Sequence, residues 1–114
     1  MRELHHFVAE TADRLGLHAA PASLLLDLQA RVGALADEVV RASERGRRPF
    51  RPTRDWEVLL GDVAFALVTL ADQTGVDTDR AVRLAADRMY RSAMSQQTDR
   101  RQAQPATESW PFSG

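Results

Sequence analysis

Apolar residues recur along most of this chain at intervals of three and four, the period of a helix with one buried face. Leu4, Phe7, Val8, Thr11, Ala12 and Leu15 share such a face and Gly16 comes next as a stop, which predicts a first helix over Arg2–Leu15. Pro21 suits the first turn of the next helix, where its missing N–H costs nothing. Leu25, Leu28, Val32, Leu35 and Val39 then step by three, four, three and four residues, predicting a second helix over 21–44. Leu24, Ala36 and Val40 widen this stripe. Gly33 sits inside it, where glycine weakens a helix by about 1 kcal/mol relative to alanine. A glycine kept there points to another backbone coming close.

Residues 45–54, RGRRPFRPTR, read as a loop: two prolines and a glycine interrupt any helix, and five arginines make it cationic. Thr53 is placed to cap a third helix, 54–74. From Trp56 to Ala71 the only clearly polar residues are Glu57, Asp62 and Thr69, so apolar side chains cover almost the whole circumference of that helix. That is the mark of a helix surrounded by other helices. Gly75 ends it. A fourth helix opens at Asp77 or Thr78 and runs to about Met94, with Val82, Ala85, Met89 and Ala93 facing inward. Residues 95–114, rich in Gln, Thr, Ser and Arg, read as a polar tail, disordered by composition, beyond a domain of residues 1–94. Trp110 and Phe112 at its end are candidate groups for docking a protein partner.

Composition narrows the functional classes. At 114 residues one domain is the default, and the 6% of aromatic residues leaves Leu, Val and Ala to build the core. With no cysteine, thiol chemistry and disulfides are excluded. No apolar run is long enough for a membrane span, and the N-terminal residues have no signal-peptide core, so the cytoplasm is the expected compartment. A net charge of −1 argues against a nucleic-acid binder, although all 15 basic residues are arginine. A GC-rich coding sequence accounts for that bias without any function. His5 and His6 are adjacent and point to different sides of a helix, while His18 falls in a turn; all three are expected at the surface.

Asp62 is the residue that asks for an explanation. Its neighbours at helical spacing, Val58, Leu59, Phe65 and Ala66, cannot pair with it, and a buried carboxylate without a partner is costly. The partner must come from another helix, with Arg31 or Arg83 as the candidates, or from a metal. The text around it, LQARVGALADEVV from Leu28 to Val40 and LLGDVAFALVTLADQTGVD from Leu59 to Asp77, resembles the MazG-type all-α nucleotide pyrophosphohydrolases. With its flanking helices the resemblance covers roughly residues 2–94.

The resemblance implies an all-α, antiparallel four-helix bundle, MazG-like, and two helices that each supply a pair of acidic residues. Together such pairs hold Mg²⁺ against a nucleoside triphosphate while water releases pyrophosphate, since magnesium takes oxygen ligands and i, i+3 spacing sets two carboxylates on one helix face. The four positions here hold Arg31, Ala34, Leu59 and Asp62. Only Asp62 is acidic, which points to a non-catalytic member acting as a binding, regulatory or assembly subunit, with no confident cofactor. The alternative is a Mg²⁺-dependent pyrophosphohydrolase with a rearranged site using Asp62, Asp37 and Glu38. Arg31, Arg47, Arg48 and Arg51 are the candidates for a phosphate, a nucleotide or an acidic partner, and Phe50 for an interaction anchor. A central helix apolar all round also asks for more cover than three short helices supply, so a homodimer or larger assembly is expected.

Overall fold

Four helices form, close to where the three-four periodicity places them: α1 (Arg2–Leu15), α2 (Pro21–Ala42), α3 (Arg54–Gln73) and α4 (Thr78–Glu108). They come from a computed structural model that describes residues 2–108, with the side chains of 2–102, and no strand occurs among the described residues. The all-α, four-helix class read from the sequence is the one observed. The chain divides into two units, one holding α1 to α3 and the first two residues of α4, the other beginning at Arg80.

The helix ends show why the boundaries fall where they do. α1 and α3 both close with a left-handed glycine, Gly16 (φ 64°) and Gly75 (φ 75°). In each, the next amide reaches back to satisfy an orphan carbonyl, Leu17 N–H to the Ala12 oxygen at 2.9 Å and Val76 N–H to the Ala71 oxygen at 2.8 Å. α2 closes with the same motif, Arg45 N–H to the Val40 oxygen at 2.8 Å, but its left-handed positions fall to Glu44 (φ 49°) and Arg45 (φ 58°) before Gly46. This early turn stops α2 at Ala42, two residues short of expectation. Pro21 starts α2 as expected.

In the first unit α3 is the shared helix, packed against both α1 and α2. α2 and α3 are antiparallel: Thr53, just before α3, bonds Glu38 late in α2, while Leu24 early in α2 shares a cavity with Ala66 and Thr69 late in α3. Both ends of the α1 segment are tied to one end of α3, through His5 to Asp72 and through His18 to Gln73. An α1 running along α3 would hold those two histidines roughly 15 Å or more apart, so it crosses α3 instead. Among the described residues the buried apolar side chains are few: Val8, Ala12, Leu24, Ala66 and Val68.

Several expectations need correction. Within the first unit α3 is covered on two faces, by α1 and α2, and Val58, Leu60 and Leu67 are exposed there. Gly33 has nothing within 4 Å of the place where a Cβ would stand, so no backbone of another element approaches it among the described residues. Residues 95–108 are helical and continue α4, where composition suggested disorder. The Gln, Arg and Ala content of that stretch has good helix propensity, and extending an existing helix avoids the cost of nucleation. In the second unit Val82 and Met89 are exposed rather than turned inward. Trp110 and Phe112 lie outside the described residues.

The contrast between helix ends predicts opposite responses. Glu44→Gly should stabilise the fold by about 0.5–1 kcal/mol, because glycine removes the left-handed penalty. Gly16→Ala should destabilise it by about 1 kcal/mol for the same reason reversed. Urea denaturation of the two variants beside the parent chain checks both signs.

Candidate functional site

Arg31 projects from α2 on the side where that helix meets α3. Its Nε donates to the Asp27 carboxylate one turn earlier at 2.9 Å, and its Nη1 lies 3.8 Å from Asp62 Oδ2 on α3. The sequence expectation that an arginine from another helix answers Asp62 is what the structure shows, with Arg31 as that residue. Asp62 does not carry the cost of a buried carboxylate that its apolar surroundings in the sequence suggested. Its side chain is 46% exposed and that of Arg31 is 42% exposed, because the open side of the α2–α3 pair lets water reach both. Such a pair is worth well under about 1 kcal/mol.

The other two carboxylates proposed for a metal are engaged separately. Asp37 pairs with Arg41 on its own helix at 2.6 Å, and Glu38 accepts a hydrogen bond from the Thr53 hydroxyl at 2.7 Å. Thr53 therefore spends its side chain on α2 and makes no capping bond to α3. A cavity of about 290 Å³ between the two helices is lined by Asp37, Glu38, Arg41 and Asp55, with Ala34 and Leu59 as part of its wall. Asp62 is not part of that lining. Among the described residues, no three His, Asp or Glu side chains come together in a way that could hold a metal ion.

The arginines proposed for an anion are likewise split. Arg31 lies eleven residues, roughly 16 Å of helix axis, before the end of α2, while Arg47, Arg48 and Arg51 lie in the α2–α3 loop. There Arg48 pairs with Glu44 at 3.3 Å. The guanidinium groups of Arg47 and Arg51 make no hydrogen bond or ion pair with any described residue. Gly46 N–H donates to Ser43 Oγ at 3.1 Å, and the rings of Phe50 and Trp56 pack with centroids 4.8 Å apart at 59°. Phe50 is thus half-buried against α3, an anchor for its own loop. Edge-to-face aromatic packing of this kind contributes about 0.5–1.5 kcal/mol.

Sequence reasoning missed a second polar cluster, at the start of α4. His5 is not a surface histidine, since its side chain is 17% exposed. Its Nδ1 accepts the Thr78 backbone N–H at 3.2 Å and lies 2.7 Å from the Thr78 hydroxyl, while its Nε2 faces Asp72 at 3.6 Å. An Nδ1 that accepts from the backbone places the ring proton on Nε2, toward the carboxylate. His5 thereby satisfies one of the orphan amides at the first turn of α4. His5 and Thr78 are 73 residues apart, and no local pattern in the chain links them.

The two clusters differ in energetic weight. His5→Ala should cost about 1–2 kcal/mol, since it leaves the buried Thr78 without its partner. A double-mutant cycle on Arg31 and Asp62 should give a coupling below about 0.5 kcal/mol that fades with added salt. Chemical denaturation at low and high ionic strength measures both.

Comparison with known proteins finds no matching family model, no matching curated protein and no matching solved structure.

Proposed function

We propose that this chain is a non-catalytic, MazG-like protein that works as a binding, regulatory or assembly subunit. The observation that carries this reading is the Arg31–Asp62 pair. At a position where the resemblance expects a metal-binding carboxylate the chain has an arginine, and that arginine lies 3.8 Å from the one acidic residue left in the set. A cation there competes with a divalent metal for Asp62 and adds like-charge repulsion to the site. Ala34 and Leu59 complete the loss, since neither can ligate a metal.

What such a subunit binds is supported by the α2–α3 loop. Arg47 and Arg51 are exposed and unengaged among the described residues, on a loop held in place by the Phe50–Trp56 contact and the Ser43 turn. Guanidinium groups in that setting suit a phosphate group or an acidic protein surface, because their paired donors match two oxygens at once. No single helix among the described residues is long and apolar enough to cross a membrane.

One observation favours a second reading, a pyrophosphohydrolase with a rearranged site. The cavity beside Ala34 and Leu59 brings Asp37, Glu38 and Asp55 to one opening. Against it, Asp37 and Glu38 are already held by Arg41 and Thr53. A pyrophosphate-release assay over a panel of nucleoside triphosphates with Mg²⁺ or Mn²⁺ separates the two. The expected result is no turnover above buffer for the parent chain and for Asp62→Asn alike. Turnover that Asp62→Asn or Glu38→Gln abolishes would replace the non-catalytic reading with the enzymatic one.

A further inference from the structure

Two histidines tie the α1 segment to its neighbours, and they differ in what a proton changes. His18 Nδ1 lies 2.5 Å from Gln73 Nε2, and its Nε2 lies 2.7 Å from Asp13. When that ring takes a proton, the Gln73 amide can rotate and present its oxygen, so both contacts survive. His5 has no such freedom. Its Nδ1 accepts the backbone N–H of Thr78, a group that can only donate and is fixed by the course of the chain.

We propose that His5 is a proton-operated latch on the first turn of α4. The neutral ring holds the Thr78 amide; the protonated ring releases it and pairs with Asp72. In the neutral state Nε2 carries the hydrogen, and the Nδ1 lone pair faces the Thr78 nitrogen at 3.2 Å. A proton from water can bind only there. The resulting imidazolium has two N–H donors and no acceptor. The Thr78 hydroxyl, 2.7 Å from Nδ1, can turn and accept from it, but the Thr78 amide cannot. That amide is left against a cation, at the helix end whose partial charge is already positive. On the far side of the ring Nε2 gains charge 3.6 Å from Asp72, so the tie to α3 strengthens as the bond to the α4 backbone is lost.

The charges around the ring come from three elements. An open cavity of about 390 Å³ beside it is lined by Arg2 and His6 of α1, Asp72 of α3 and Asp77 just before α4. Asp79, buried in the first turn of α4, adds a third acid at that end. The acids favour the charged ring, while Arg2 and a protonated His6 oppose it. Their balance sets the pH at which the ring titrates, but none of them restores the lone pair at Nδ1. Imidazole is the side chain that changes charge between about pH 8 and 5, where carboxylates stay ionised.

Burial makes the release consequential. Thr78 is 4% exposed, so water replaces the lost acceptor only if the turn shifts or opens. Thr78 and Asp79 are also the two residues of α4 that belong to the first unit, and the second begins at Arg80. The latch therefore acts on the turn through which the chain passes from one unit into the next.

Nuclear magnetic resonance on the full ¹⁵N-labelled chain between about pH 8 and 5 tests this. Long-range ring spectra should show the His5 hydrogen on Nε2 at the alkaline end and on both nitrogens at the acid end. Over that range the exchange protection of the Thr78 amide, taken relative to a free peptide at each pH, should fall about two- to tenfold, the effect of one hydrogen bond. Amides in the middle of α2, such as Val32, should keep theirs. In His5→Asn the side-chain oxygen stands in for Nδ1 and does not titrate, so Thr78 protection should stay flat with pH. A hydrogen on Nδ1 at the alkaline end, a ring still neutral at the acid end, or a Thr78 amide fully protected beside a charged ring would each overturn the proposal. Equal loss at Val32, which is unfolding of the whole, or the same fall in His5→Asn would overturn it too. Should His5→Asn fail to fold, the ring and amide readings on the parent chain decide by themselves.

Discussion

The organisation of the first unit depends on how α3 buries its apolar surface. A helix that is apolar around nearly its whole circumference gains free energy from every face it removes from water, at about 25 cal/mol per Å². No single neighbour can cover it. α2 lies antiparallel along one face and α1 crosses another, and each is held at its end by a polar tie, Thr53 to Glu38 for α2 and His5 to Asp72 for α1. The ties are small in energy beside the burial, but they are directional. They set where each helix lies, while the apolar contacts set that it lies there at all.

The same constraint explains what is left over. Two helices cover two faces, so Leu60 and Leu67 stay in water together with the Leu25 and Val32 strip of α2. Among the described residues only Val8, Ala12, Leu24, Ala66 and Val68 are buried apolar side chains. A core that small gives little margin against the chain entropy lost on folding. The exposed strip therefore bears on stability, since each apolar side chain left in water forgoes its burial energy.

The polar side of α2–α3 shows a different distribution of charge. Arg31 sits between Asp27 and Asp62, and Asp37 and Glu38 are each engaged by another partner. Carboxylates that serve a metal must be free to converge on one point, whereas these are drawn to separate partners along about three turns of helix. That distribution is the physical content of the non-catalytic reading. Arg47 and Arg51, on the loop, are exposed and unengaged among the described residues.

Much of this was legible in the chain itself. The helices, the glycine stops at Gly16 and Gly75, the proline start of α2 and the need of Asp62 for a partner from another helix or a metal all come from spacing and residue chemistry within a few turns. Those properties are local, and local rules read them. The direction of α1 across α3, the burial of His5 against Thr78 and the openness around Gly33 are not local. They depend on which distant residues meet, and no periodicity records that. The continuation of α4 past Met94 was misread because composition averages over a segment, while helix growth depends on the turn already formed. Sequence alone thus determined that α3 is a helix needing cover on all sides. Only the tertiary structure decided which sides α1 and α2 cover, because two helices of finite width can occupy only part of a third one's surface.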